Sequence, residues 1–476
     1  MENFSAFNVW GTVNVFAMLL LSLLLAHVLK KSVPFFQKTL IPTPVLGGIF
    51  LLIISSVYKA FTGVSIFDTP AFGGNGMEMM EIITYHALAF GFIASTLKTS
   101  NKKMTKKRTT EIFNSGVTTV ATYLLQAVLG LGITIIFSLF VAGFFAAAGV
   151  LLPFGFGQGT GQALNFGGIY ESMGFKGGRS FGLTVAALGF ISASIGGVFH
   201  LHILKKRGKI KFTSFENRGI PDDEKDGSNE IPVNGNLDRI TFQTTFILIA
   251  YGLSYLAMFG LSKLLPGMTA TIFGFNFLFG AVFAVLVKSI LKLLNKKQIV
   301  KKQYVNNFLM TRISNLCFDV MIVAGIAAIR LEAVKDYWLI LLILAVVGFV
   351  STFIYNRAVA KSLFKDYPEE QFMVMYGMLT GTASTGIMLL REIDGEFKTP
   401  ASDNLVYQQF PAIAFGFPIM LLANLAPKRP YLTLILLVAF FIVMNVILFR
   451  SKIFKRKKNA TEPNLQTDSN EGQKTE

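Results

Sequence analysis

The chain has 476 residues, of which 52% are hydrophobic and only 15% charged, with a mean hydropathy of +0.55. A soluble chain of this length carries about a quarter charged residues, so the composition argues against a water-soluble fold. The net charge of +17 sits in short clusters between apolar runs, not along a face interleaved with aromatics, which argues against a nucleic-acid partner and points to a lipid bilayer.

Apolar stretches of about 20 residues, the length that crosses a bilayer core, recur from residue 10 to residue 449. The first span, residues 10–29, meets Lys30 and Lys31, which places its C-terminal end in the cytoplasm and the N-terminus outside. No basic leader with a small-residue cleavage site precedes it, so it is expected to be retained. A second span climbs from Pro44 to about residue 57, and a third, residues 79–97, descends into the basic run 98–108. A fourth (112–139) returns outward, and a fifth (181–204) ends on Lys205, Lys206 and Arg207. Between the fourth and fifth, residues 144–178 are apolar but interrupted by Pro153, Gly155, Gly157, Gly159, Gly161, Gly167 and Gly168. Irregular backbone at membrane depth survives only where protein or a wet cavity satisfies its polar groups, which predicts a re-entrant hairpin entering from outside. Residues 205–238 are polar and without periodicity, a cytoplasmic linker.

After the linker come spans at 240–264, 269–294, 308–331 and 338–355, then a second Gly/Thr/Ser-broken stretch at 372–393 and a span at 405–425. Basic residues follow the second and fourth of these, so this half starts inside and its hairpin enters from the cytoplasm. The expected fold is all-α and membrane-integral, an inverted-topology repeat of five spans plus a re-entrant hairpin in each half, as in secondary transporters. The repeats cover residues 1–204 and 239–425. An additional span at 431–450 and a basic, polar cytoplasmic tail at 451–476 complete about eleven spans.

Gly-interrupted segments at matching places in two halves point to a binding site. Glycine lets backbone amides approach a ligand, and the N-termini of half-helices attract carboxylates while free carbonyls hold a cation. Gly159, Thr160, Gly161, Gln162 and Asn165 supply such a tip in the first hairpin, and Gly381, Thr382, Ser384 and Thr385 in the second. Small residues also serve close helix packing, the preferred role for Gly196 and Gly197. Arg391 is expected either to clamp a substrate carboxylate or to lie at the cytoplasmic interface, pairing with Glu392 or Asp394. Asp319, near Asn315 in an apolar span, is a candidate for sodium or proton coupling, or else pairs with Arg312; Gln158 joins Asn315 and Asp319 as a sodium candidate. Glu171 and Arg179 read as surface charges, His86 as a core residue, and His200 and His202 as too few for a metal site. The single cysteine, Cys317, excludes an intrachain disulfide and a thiolate metal site. No paired aspartates, Ser/His pair or His-Glu-x-x-His helix lies within the spans, so an enzyme is not expected. No cofactor is expected beyond sodium as coupling ion.

Four passages resemble the bacterial sodium/glutamate symporter family. They are Ile41-Pro42-Thr43-Pro44-Val45-Leu46-Gly47-Gly48, Gly157-Gln158-Gly159-Thr160-Gly161, Gly219-Ile220-Pro221-Asp222-Asp223 and Gly381-Thr382-Ala383-Ser384-Thr385-Gly386. The resemblance spans roughly residues 10–425. Gln158 stands where the family carries histidine, Arg391 where an uncharged residue is expected, and the last span is extra. What the resemblance implies is a homodimer in the bacterial inner (cell) membrane, with a scaffold and a mobile domain that carries the hairpins like an elevator. It also implies symport of sodium with L-glutamate or a similar anionic amino acid. A related design, a sodium-coupled di- or tricarboxylate (2-hydroxycarboxylate) symporter, suits Arg391 equally well.

Overall fold

The computed structural model describes residues 7–38, 41–98, 105–208, 238–299, 302, 304–394 and 398–453. Residues 99–104 of the first basic loop, most of the central linker with its 219–223 motif, and the tail beyond residue 453 lie outside the described residues. Every regular element among those described is helical. Ten helices are long and apolar enough to cross a membrane, eleven when one bent pair is counted as a span. The protein is an all-α, multi-pass integral membrane protein.

The long helices of the first half are α1 (Phe7–Ser32), α2 (Thr43–Thr62), α3 (Gly76–Leu97) and α4 (Lys106–Phe140). They are followed by α5 (Thr160–Ser172) and α6 (Gly178–Lys206). The second half contributes α7 (Arg239–Leu264), α8 (Asn276–Lys296), α9 (Asn307–Ala327) and α10 (Trp338–Leu363). Then come α11 (Pro368–Thr380), α12 (Ala383–Arg391), α13 (Gln409–Leu425) and α14 (Pro430–Leu448). Local chemistry sets several of these ends. Pro44 lies in the first turn of α2, where its missing N–H has no intrahelical partner to lose, and Gly63 closes the helix in the left-handed region at φ 78°. Thr105, Asp238 and Asn306 cap α4, α7 and α9, their side-chain oxygens accepting from Arg108, Ile240 and Leu309 amides.

Two expected spans are interrupted. The stretch at 405–425 is a short helix, Ala401–Tyr407, bent by 49° against α13. Pro411 lacks the N–H that would bond the Tyr407 carbonyl, and its ring crowds that carbonyl, so the helix breaks there. The stretch at 269–294 is likewise split into a short helix, Thr269–Gly274, and α8. The Asn276 side chain accepts from the Phe277 amide and donates to the Tyr85 carbonyl, which ties the start of α8 to α3.

Packing divides the helices into two bundles. In one, α1, α2, α3, α7, α8 and α9 contact one another, with α3 against α9 as the most extensive pairing. In the other, α4, α6, α10, α11, α12, α13 and α14 assemble around α4 and α6. Small residues bring helices of the first bundle close. A methyl group on Gly48 of α2 would lie 2.7 Å from Ile326 Cβ of α9, and one on Gly91 of α3 would lie 2.6 Å from the Phe318 ring. The half-helix α5 packs with α6 yet also touches α3 and α9, so it lies in the seam between the bundles.

Candidate transport site between two helix breaks

Both broken stretches fold as helix, break, helix. In the first, a short turn at Ala146–Val150 and a wide turn at Pro153–Gly157 lead to Gln158 and Gly159, after which α5 begins. Gly159 adopts φ 79° and ψ −171°, a conformation in which a Cβ is strained. In the second, α11 ends at Thr380, Gly381 turns the chain, and extended Thr382 precedes α12.

The two breaks touch. A methyl group on Gly159 would lie 3.1 Å from Thr382 Cγ2 and 3.6 Å from the Gly381 carbonyl oxygen. Both breaks rest on α6, where a methyl group on Gly189 would lie 2.7 Å from the Thr380 carbonyl and one on Gly381 would lie 3.0 Å from the Phe190 ring. From the other side, α4 holds them with two side chains one turn apart. The Tyr123 hydroxyl donates to the Gly157 carbonyl at 3.1 Å, and Gln126 Nε2 donates to the Leu379 carbonyl at 2.9 Å. Gln126 Nε2 also reaches Thr352 Oγ1 of α10 at 2.8 Å.

The N-termini of α5 and α12 have no side-chain cap, so their first amides and the positive end of each helix dipole face the junction. The C-terminal end of α11 brings carbonyl oxygens to the same place. An arrangement of this kind can hold a carboxylate on one side and a cation on the other.

Of the first-tip residues, Thr160 and Asn165 fasten α5 to the other bundle. Thr160 Oγ1 donates to the Met321 carbonyl of α9 at 3.2 Å, and Asn165 Nδ2 to the Gly274 carbonyl at 3.0 Å. That carbonyl is available because the chain breaks after Gly274. Gly161 packs against Leu88 and Met321. Gln162, one turn beyond Gly159, is fully buried, and neither its oxygen nor its nitrogen has a hydrogen-bond partner among the described residues. Gln158 is half-buried in the turn itself. At the second tip, Thr385 is buried and its hydroxyl lies 3.4 Å from that of Thr382. The side chain of Ser384 lies outside the described residues.

Three expected site residues lie apart from the tips. Arg391 is exposed in the last turn of α12, about 12 Å along the helix axis from its start. Its neighbour Asp394 accepts from the Lys398 and Thr399 amides and the Thr399 hydroxyl, so that carboxylate closes its own loop. Asn315 and Asp319 sit one turn apart on α9, Asn315 exposed and Asp319 half-buried. Arg312 lies over the Phe308 ring, and no ion pair joins it to Asp319.

Two charged clusters were not apparent in the sequence. At one, Glu81 of α3, almost fully buried, accepts from Arg179 of α6 at 2.7 Å and Arg330 after α9 at 3.0 Å; Arg179 also pairs with Glu171 at 3.3 Å. Arg179 and Glu171 are therefore parts of a tie across the seam as well as surface charges. At the other, Arg357 of α10 grips Glu369 of α11 with both guanidinium nitrogens, and His200 of α6 lies 2.9 Å from the same carboxylate. Burial opposes ionisation of Glu369, but Arg357 and His200 outweigh it and hold the carboxyl down at about 2. The one local signal for Gln126 is an amide placed inside a long apolar helix.

A family model described as sodium/glutamate symporter matches residues 7–399 of the chain. No curated protein shows a significant match.

Proposed function

Since the chain belongs to the sodium/glutamate symporter family, we propose that it couples sodium entry to the uptake of L-glutamate, held between the two helix breaks. The observation that carries this reading is the contact of Gly159 with Gly381 and Thr382, with two uncapped helix N-termini beside it. Backbone amides there suit the carboxylates of an amino acid, and the buried amide of Gln162 offers both an acceptor for an ammonium group and donors for a carboxylate.

The two bundles support an inverted repeat and a moving domain. The first three long helices of each half share one bundle, and the fourth span, broken hairpin and fifth span share the other, apart from the seam helix α5. In the elevator mechanism proposed, the hairpin-bearing bundle slides against the α1–α3/α7–α9 bundle, which also forms the homodimer contact. In this reading the N-terminus faces outward and the C-terminus the cytoplasm, supported by the basic clusters between the spans. Asp319 serves as a further cation locus on the face of α9.

Uptake of radiolabelled L-glutamate into proteoliposomes under an imposed sodium gradient tests the proposal, with aspartate, citrate and malate as competitors. Sodium-driven glutamate uptake, displaced by aspartate more readily than by citrate, is expected. Transport without sodium, or stronger displacement by citrate or malate, sinks it.

A further inference from the structure

Gln126 lies in the body of α4 and is completely buried. The Leu379 carbonyl can only accept, so the amide nitrogen must face it, and the oxygen is turned the other way. That oxygen has no hydrogen-bond partner among the described residues and lies 3.4 Å from where a methyl group on Gly157 would stand. A buried, well-packed amide that leaves only its oxygen unpaired marks a place where a donor or a cation belongs.

The surroundings are rich in oxygen. At the junction of the breaks the Gly157 carbonyl uses one lone pair on Tyr123, the Gly381 carbonyl faces Gly159, and the hydroxyls of Thr382 and Thr385 lie 3.4 Å apart at the second tip. All of these donors are neutral, and α11 ends here with its negative dipole terminus. Divalent cations recruit carboxylates, whereas rings of neutral carbonyl and hydroxyl oxygens suit a monovalent ion. Among the described residues, no group of three or more His, Cys, Asp or Glu side chains could hold a metal ion.

We infer that Gln126 Oε1 is a ligand of the coupling sodium ion, in a neutral oxygen site that bridges the two helix breaks and is separate from the Asp319 face. The inference rests on the symport reading. A cation there would draw both breaks together from the α4 side, and would do so before the anionic substrate arrives.

The test uses the full chain in detergent. Its unfolding temperature is followed as sodium chloride replaces choline chloride at constant ionic strength, without substrate. The wild type is expected to gain stability with sodium. Gln126→Met, which fills the space without an oxygen, should raise the sodium concentration at half-effect by at least about tenfold, since loss even of outer-shell partners costs 10- to 100-fold in metal affinity. Gln126→Glu, which keeps an oxygen and adds charge, should lower it. An unchanged half-effect concentration in monodisperse Gln126→Met overturns the inference. Should that variant not fold, an unchanged value in Gln126→Glu overturns it alone. Absence of sodium-driven glutamate uptake in the wild type would instead remove the symport reading on which it rests.

Discussion

Gly159 combines two constraints that rarely coincide. Its φ and ψ fall where a Cβ is strained by about 1–3 kcal/mol, and that Cβ would also press on Thr382. Gly159→Ala is therefore expected to cut glutamate uptake at least tenfold while leaving helix content by circular dichroism unchanged. Gly132→Ala, on open helix surface, should transport like the wild type within about twofold. Asp319 makes a second residue-scale prediction. Its half-buried carboxylate has no hydrogen-bond or ion-pair partner among the described residues, so Asp319→Asn should flatten the dependence of uptake on the imposed cation gradient. An unaltered gradient dependence would remove Asp319 from coupling. Glycines and threonines announced the tips because their chemistry is local. Gln126 and Tyr123 did not, since their partners are 253 and 34 positions away and a tertiary contact leaves no periodic trace.

The second broken hairpin is anchored at its start as well as its tip. Glu369, in the first turn of α11, is clasped by Arg357 and His200, and Arg357 also lies 5.3 Å over the Phe372 ring. Taking Arg357 away removes the bidentate partner of a largely buried carboxylate, which still has His200 beside it, a loss of up to about 3–5 kcal/mol. Arg357→Ala should accordingly lower the unfolding temperature markedly more than Lys107→Ala, whose partner Asp366 is solvent-exposed. The pH sign follows from the depressed carboxyl. Glu369 is held near 2 against an ordinary value of 4.5, so its stabilisation is complete above 4.5 and is lost as pH falls toward 2. Thermal melts between pH 7 and pH 3 should show a smaller acid-induced decline in Glu369→Gln than in the wild type. Span number and the Gly-marked helix breaks were legible in the apolar pattern. The splits at Gly274 and Tyr407 were not read from it, because both segments remain apolar across the break and hydropathy does not register where one helix stops and the next starts.

At the scale of the whole molecule, several polar ties cross the seam among the described residues. Among them are the Glu81 cluster, Thr160 to Met321, and Thr271 Oγ1 to Asn424 Oδ1 at 3.0 Å. If the bundles slide, fastening them must stop transport. In a Cys317→Ser background, Thr271→Cys with Asn424→Cys should form a cross-link that abolishes uptake, and reductant should restore it. Undiminished uptake by the cross-linked protein would rule out the sliding mechanism. The family match ends at residue 399, yet α14 lies along α4, and Arg450 behind it donates to Asn114 at 3.0 Å and covers the Phe113 ring at 4.8 Å. The C-terminal helix is thus freight on the hairpin-bearing bundle. If that bundle slides as proposed, a fluorophore attached just past α14 would travel with the cargo and serve as a gauge of each stroke.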